Sequence, residues 1–329
     1  MLAQLVSRHQ IKLAKWHINF GDVDINAKDD KNTSAIIYAS EFGYYEIVEL
    51  LLANGASALD TTDFGTTPLH NACIDGHIDI AKLLIKHGAD VLARDLDGFD
   101  ALVMATRYGH AELVDYLLTI GADANYEITH TNKIHGGFTP LMVAVSTTYA
   151  NLEIVKRLIN VYRVNINHKS ASGLTALQLA VVWNKKSIVE LLLENGADPN
   201  LKNKIGSTAL ITAVVNYHPD IVDLLIQYGA RVNEKNNVGR TALLNTVVYQ
   251  KDKAAWITVV QLLLAGADPN VEDFEGKSAI QITKSPAVKE VFERWLITKP
   301  MIVLNELKVD WCVDCDFWTD LVDFSREVV

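Results

Sequence analysis

The chain has 329 residues, 49% of them hydrophobic, which is enough apolar material for an extended core. Its 30 basic and 40 acidic residues leave a net charge of −10, a poor balance for nonspecific nucleic-acid binding, which needs clustered Lys and Arg. Three cysteines argue against a disulfide framework, and no apolar run approaches the roughly 18 residues of a membrane span.

The chain opens with Met1 to Trp16, which carries Arg8, Lys12 and Lys15 and no acid. The segment reads as a capping helix, with Leu2, Leu5, Val6, Leu13 and Trp16 facing the first repeat. A transit peptide shares that charge bias and is the alternative. Gly21 to Asn26 comes directly after and resembles the end of a repeat, so residues 1–27 are assigned to an N-terminal cap or partial repeat.

The most regular stretch is Asp63 to Ala93. Asp63-Phe64-Gly65 is turn chemistry. Thr67 is a helix N-cap, and Pro68 occupies the first helical position, where its missing N–H costs nothing. Gly76-His77 breaks this short helix. Ile80, Ala81, Leu83, Leu84 and Ile85 then share one side of a second helix, which Gly88 ends as a left-handed C′ residue. Cys73 falls at a position expected to be buried, which fits a reducing, cytoplasmic compartment.

The turn glycine sets a register: Gly65, Gly98, Gly137, Gly173, Gly206, Gly239 and Gly276, with Asn32 in the equivalent earlier place. From Asn32 the steps are 33, 33, 39, 36, 33, 33 and 37 residues. The second helices repeat the stripe of Ile47-Val48-x-Leu50-Leu51-Leu52 at Leu113, Ile188, Ile221 and Val259. Apolar residues at i, i+1, i+3, i+4 and i+5 make a broad helical face, which stacked neighbours must bury.

Thr67 to Ala72, T-P-L-H-N-A, followed by Gly88-Ala89-Asp90, resembles the signature of the ankyrin repeat, a helix-turn-helix unit with a period near 33 residues. The resemblance covers residues 20 to 297. It implies an all-α solenoid of stacked helix-turn-helix repeats with β-hairpin fingers, about eight repeats plus caps. The array is assigned to residues 28–297 and a C-terminal tail to 298–329. The T-P-L-H run drifts along the chain, to Thr139-Pro140-Leu141-Met142 and Thr175-Ala176-Leu177-Gln178, for example. Losing the histidine removes a polar side chain that in the family links neighbouring loops. A less rigid array is therefore expected.

Three places break the period. Extra sequence at residues 126–135, including Tyr126, Ile128, His130 and His135, is expected to lengthen one finger. Repeat five has extra residues around Thr148 to Ala150, and Val161-Tyr162-Arg163 where others have a glycine cap. Repeat eight has extra residues around Gln250 to Ala255. Insertions in solenoids map to loops, often on the binding face.

No catalytic or nucleotide-binding motif is present, no enzyme activity is expected and no cofactor is implied. His130 and His135 are too unspecific a pair to assign a metal. Cys312-x-x-Cys315 lacks the further ligands of a structural zinc site and the setting of a redox pair. The tail instead interleaves Trp311, Phe317, Trp318, Leu321 and Phe324 with Asp310, Asp314, Asp316, Asp320 and Asp323. That pattern suits an amphipathic segment docked on the last repeat, or a free acidic-aromatic peptide for a partner.

The resemblance further implies a protein partner bound on the concave face of fingers and inner helices. Carried onto this sequence, the finger positions are Phe64, Phe99, Phe138, Ile205, Arg240 and Phe274. The inner-helix positions are Ile74, Asp75, Arg107, Tyr108, Trp183, Asn216 and Tyr249. The expected function is a noncatalytic, monomeric interaction scaffold. The alternative is a secreted effector of an intracellular bacterium or virus, using the same array in the host cytosol.

Overall fold

The computed structural model describes residues 1–129, 136–147, 152–249 and 254–298. Among them, 18 α-helices form nine successive pairs, and each pair with the finger before it is one repeat, numbered one to nine. The odd-numbered members are α1 Leu2–Ser7, α3 Ala35–Glu41, α5 Pro68–Asp75, α7 Ala101–Tyr108, α9 Pro140–Ser146, α11 Ala176–Val182, α13 Ala209–Val215, α15 Ala242–Tyr249 and α17 Ala279–Ile282. They stack on one another as an inner row. The even-numbered members are α2 Ile11–Phe20, α4 Tyr45–Ala53, α6 Ile78–Lys86, α8 Ala111–Thr119, α10 Leu152–Asn160, α12 Lys186–Glu194, α14 Pro219–Gln227, α16 Ala254–Leu264 and α18 Pro286–Thr298, and they form the outer row.

Each inner helix spans about two turns at most and is too short to persist alone in water. Its start is defined locally. The Thr67 hydroxyl accepts from the His70 N–H at 3.3 Å, and Asp100, Thr139, Thr175, Thr208 and Thr241 cap in the same way. The rest comes from packing. Leu51, Leu84, Leu117, Leu158, Leu192 and Leu225, one from each of six consecutive outer helices, are fully buried and form a spine along the array. Truncating any of them to Ala should cost about 2–5 kcal/mol.

The turn between inner and outer helices requires left-handed backbone. Gly76 has φ +77°, and a Cβ there would lie 2.5 Å from the His110 ring of the next repeat. Asn184 and Tyr217 take the same turn at φ +52° and +62° without glycine. Arg163, at φ +48°, stands where six other outer helices end in a left-handed glycine, so repeat five ends its helix with a strained Arg.

Two expectations are corrected. The segment Met1 to Trp16 is not one helix. It breaks at His9, φ +59°, whose ring packs against Phe42 and shares a hydrogen bond with the Tyr44 hydroxyl. The resulting α1–α2 pair stacks on α3 and α4 as a repeat would. The break rotates α2, so Ala14 and Ile18 are buried while Leu13 and Trp16 are exposed. The fingers, in turn, fall short of full β-hairpins. Among the described residues their strand-like pairing is confined to two isolated bridges, Lys28 with Ser34 and Glu272 with Ser278.

Candidate partner-binding face

Apart from the long finger at Ile128–Phe138, the described fingers are tight turns built around one side-chain oxygen. Asp95 Oδ1 accepts from the N–H groups of Asp97 and Phe99, at 2.9 and 2.8 Å. Asp29, Asn203, Asn236 and Asp273 repeat this geometry. The backbone then closes from the first residue to the fifth, as Asp95 N to Phe99 O at 3.0 Å. The second and third residues project at the tip, and an apolar fifth residue turns inward.

This register sorts the predicted finger residues. Phe64 and Ile205 are third residues and Phe274 is a second residue; all three are exposed, the two phenylalanines at 75%. Phe99 and Phe138 are fifth residues, only 8% and 4% exposed, and do not belong to the surface. The Phe99 carbonyl accepts from His70 Nε2 at 3.0 Å, and its ring lies under the Arg107 guanidinium. Two tips that the glycine register does not find are Leu96 and Val238, both exposed. Counting from the capping Asp95 or Asn236, rather than from the glycine, finds them.

The long finger keeps the same closure. Ile128 N donates to Phe138 O at 2.9 Å, and Gly137 N to Ile128 O at 2.8 Å, across six additional residues. Tyr126 and Ile128 are therefore at the base, not on the loop, and both are buried. The Tyr126 hydroxyl donates to Gly98 O at 2.7 Å, and Arg94 lies over its ring. His130, His135 and the tail residues Trp311, Phe317 and Trp318 lie outside the described residues.

At the far ends of the inner helices, eight residues past each cap, sit Asp75, Tyr108, Trp183, Asn216 and Tyr249. Trp183 is 55% exposed, and Asp75, Tyr108 and Tyr249 are exposed with it. Ile74, Arg107 and Asn216 are half-buried. The Ile74 carbonyl accepts from His110 Nε2 at 2.8 Å, and the Asn216 amide donates to Thr212 O at 2.8 Å. Tyr217 is also exposed, at a place in the repeat pattern that belongs to glycine and so draws no attention in the sequence. Its hydroxyl donates to the Tyr249 carbonyl, joining two repeats along this rim.

Charge divides the face. In repeats two to four it carries Asp30, Asp63, Asp97, Glu41 and Asp75 against Lys31 and Arg107. Burial, and then the Asp75 charge, raise the Glu41 carboxyl above its usual range. In repeats six to eight the inner helices contain no charged residue at all, and the apolar finger tips are Ile205, Val238 and, from repeat nine, Phe274.

Among the described residues no three His, Cys, Asp or Glu are grouped to hold a metal ion, and no helix is long and apolar enough to cross a membrane. Models of ankyrin repeats match residues 18–68, 55–128, 102–203 and 196–273. The chain belongs to the ankyrin repeat family. The crystal structure of the human ASB11 ankyrin repeat domain is similar, with a TM-score of 0.61 and 28% identity over 72% of this chain and all of that one. The ankyrin repeat domain-containing protein SAT10 of Stachybotrys chartarum is 26% identical over 179 residues, 54% of this chain but only 8% of that protein. Ankyrin repeats are in general protein–protein interaction modules, and no catalytic family is indicated.

Proposed function

We propose that this chain is a noncatalytic scaffold that holds a segment of a partner protein on the face made by its fingers and inner helices. The observation that carries this is an apolar surface on fixed backbone. Trp183, Tyr217 and Tyr249 line one rim, and Ile205, Val238 and Phe274 line the other. Aromatic side chains dominate interface energetics, each anchor worth roughly 2 kcal/mol on truncation, or about 30-fold in affinity. Their positions are set before any partner arrives, since Asn237 N donates to Ile205 O at 3.1 Å and ties one finger to the next. Preorganisation lowers the ordering cost of binding.

The test is capture of a partner by the wild-type chain beside a Trp183→Ala/Tyr249→Ala/Tyr108→Ala chain. All three side chains are exposed, so the thermal midpoint should hold while the partner is lost. A partner retained at equal affinity sinks the reading.

A further inference from the structure

Past Tyr249, Phe274 is the sole large hydrophobic side chain exposed among the described residues. On α18, Val288, Val291, Phe292 and Trp295 are buried, and the outward positions include Lys289, Glu290 and Glu293. The described side chains of this last helix therefore offer no apolar seat to a segment with an aromatic stripe.

The chain continues from α18 with such a segment. Residues 298–329 carry a net charge of −4 and interleave Trp311, Phe317, Trp318, Leu321 and Phe324 with five aspartates. The two halves of the inner face offer it opposite terms. Repeats two to four present five carboxylates against two cations, a net negative face that repels it. Repeats six to eight present uncharged inner helices, two apolar rims, and Lys204 exposed beside Ile205, while the Glu275 carboxylate beside Phe274 is paired with Lys277. Reach agrees with charge. The 13 residues from Thr298 to Trp311 span at most about 45 Å, and repeat six lies roughly 30 Å from repeat nine at about 10 Å per helix step. Another exposed apolar stripe, Leu13, Trp16 and Phe20 on α2, is eight steps away, roughly 80 Å, beyond the reach of Trp311 in the same molecule.

We propose that the chain's own segment 311–324 docks on the face lined by Trp183, Ile205, Tyr217, Val238, Tyr249 and Phe274, as an internal occupant that a partner must displace. This rests on the reading of that face as a peptide-binding surface.

The test uses the full chain. Cys73 is fully buried and its thiol is pushed far up by burial, so a maleimide spares it and leaves Cys312 and Cys315 as the thiols to label. They are labelled with a benzophenone maleimide, irradiated at low micromolar protein, and the adducts mapped by mass spectrometry. The expected adducts lie within one molecule, on peptides containing Trp183, Tyr217, Tyr249 or Phe274. Their yield should fall at least tenfold in Trp183→Ala/Tyr249→Ala and several-fold in Phe274→Ala, a change at an exposed tip that leaves the fold intact. Adducts on α18 or the outer helices overturn the proposal, as do adducts between molecules on α2, or a yield unchanged in the variants. Absence of adducts overturns it too; if the triple variant still loses its partner, the binding face stands without the tail.

Discussion

Repeats two to four and repeats six to eight share one fold and are held together by different chemistry. In the first region histidines bridge repeats. His77 Nε2 meets Glu41 O at 3.1 Å, His110 Nε2 meets Ile74 O at 2.8 Å, and His70 reaches Phe99 O. In the second region asparagines and lysines do so. Asn167, Asn200 and Asn233 each donate to the glycine that ends the next outer helix. Lys169, Lys202 and Lys235 each donate to a carbonyl at the base of the next finger. Asn26 and Lys28 make these bonds once, at the start of the first region. At the next two positions equivalent to Asn26 stand Leu59 and Leu92, both exposed. The two sets of bridges fall on different backbone groups: the histidines reach inner-helix ends and a finger carbonyl, the asparagines and lysines reach outer-helix glycines and finger bases.

The largest expected effect tests whether the shared spine outweighs these differences. Leu84→Ala and Leu225→Ala should each cost about 3 kcal/mol in denaturant unfolding, with little difference between regions. A twofold disparity would show that the bridges, not the spine, set regional stability.

Gly76→Ala comes next. It forces Ala into left-handed backbone and into the His110 ring, so about 2 kcal/mol should be lost in the same unfolding measurement. Asn184→Gly at the matching turn should be neutral to within about 0.5 kcal/mol, because Asn already tolerates that conformation.

Asp100→Asn probes the buried cap of α7. Burial pushes its carboxyl up to about 6, so the folded state holds the proton more tightly than the unfolded chain. The charge therefore costs stability above pH 6, and the cost fades as pH falls from 6 toward 4. Asn caps equally well. The variant should gain about 1–2 kcal/mol at pH 7, and the gain should shrink at pH 5.

His70→Gln has the opposite sign of pH dependence. Burial holds the His70 imidazole below its usual range, so its share of stability is present above about pH 6.5 and lost as pH drops below it. Gln178 makes the same bridge in repeat six, donating to Leu201 O and Ser207 O at 3.0 and 2.8 Å. The Gln variant should unfold with a flatter acid limb than wild type between pH 7 and 5. The smallest loss expected is for Asn200→Ala, Asn184→Gly being neutral; it removes bonds to Gly229 O and Arg231 N and should cost about 1 kcal/mol in thermal unfolding.

The helical repeat is legible in the sequence because its signals are local. A capping Thr, a left-handed Gly and an apolar stripe each act within a few residues. The features with no such signal depend on tertiary contact. The break at His9 has no glycine to announce it and is stabilised by Phe42 and Tyr44 from the next repeat. Drift away from histidine suggests a looser array, yet at repeat six Gln178 takes over the bridge. Using the neighbouring glycine as the ruler puts Phe99 and Phe138 on the surface, whereas both are fifth finger residues whose rings are buried.

The closure of the long finger has a consequence for how this protein can change. Ile128 and Phe138 are pinned by the bond that closes every other finger, so the length between them is uncoupled from the register of the stack. Doubling such a loop costs only about 0.6 kcal/mol of closure entropy. The position is a graft point, where new sequence can be tried while the helices beneath keep their places.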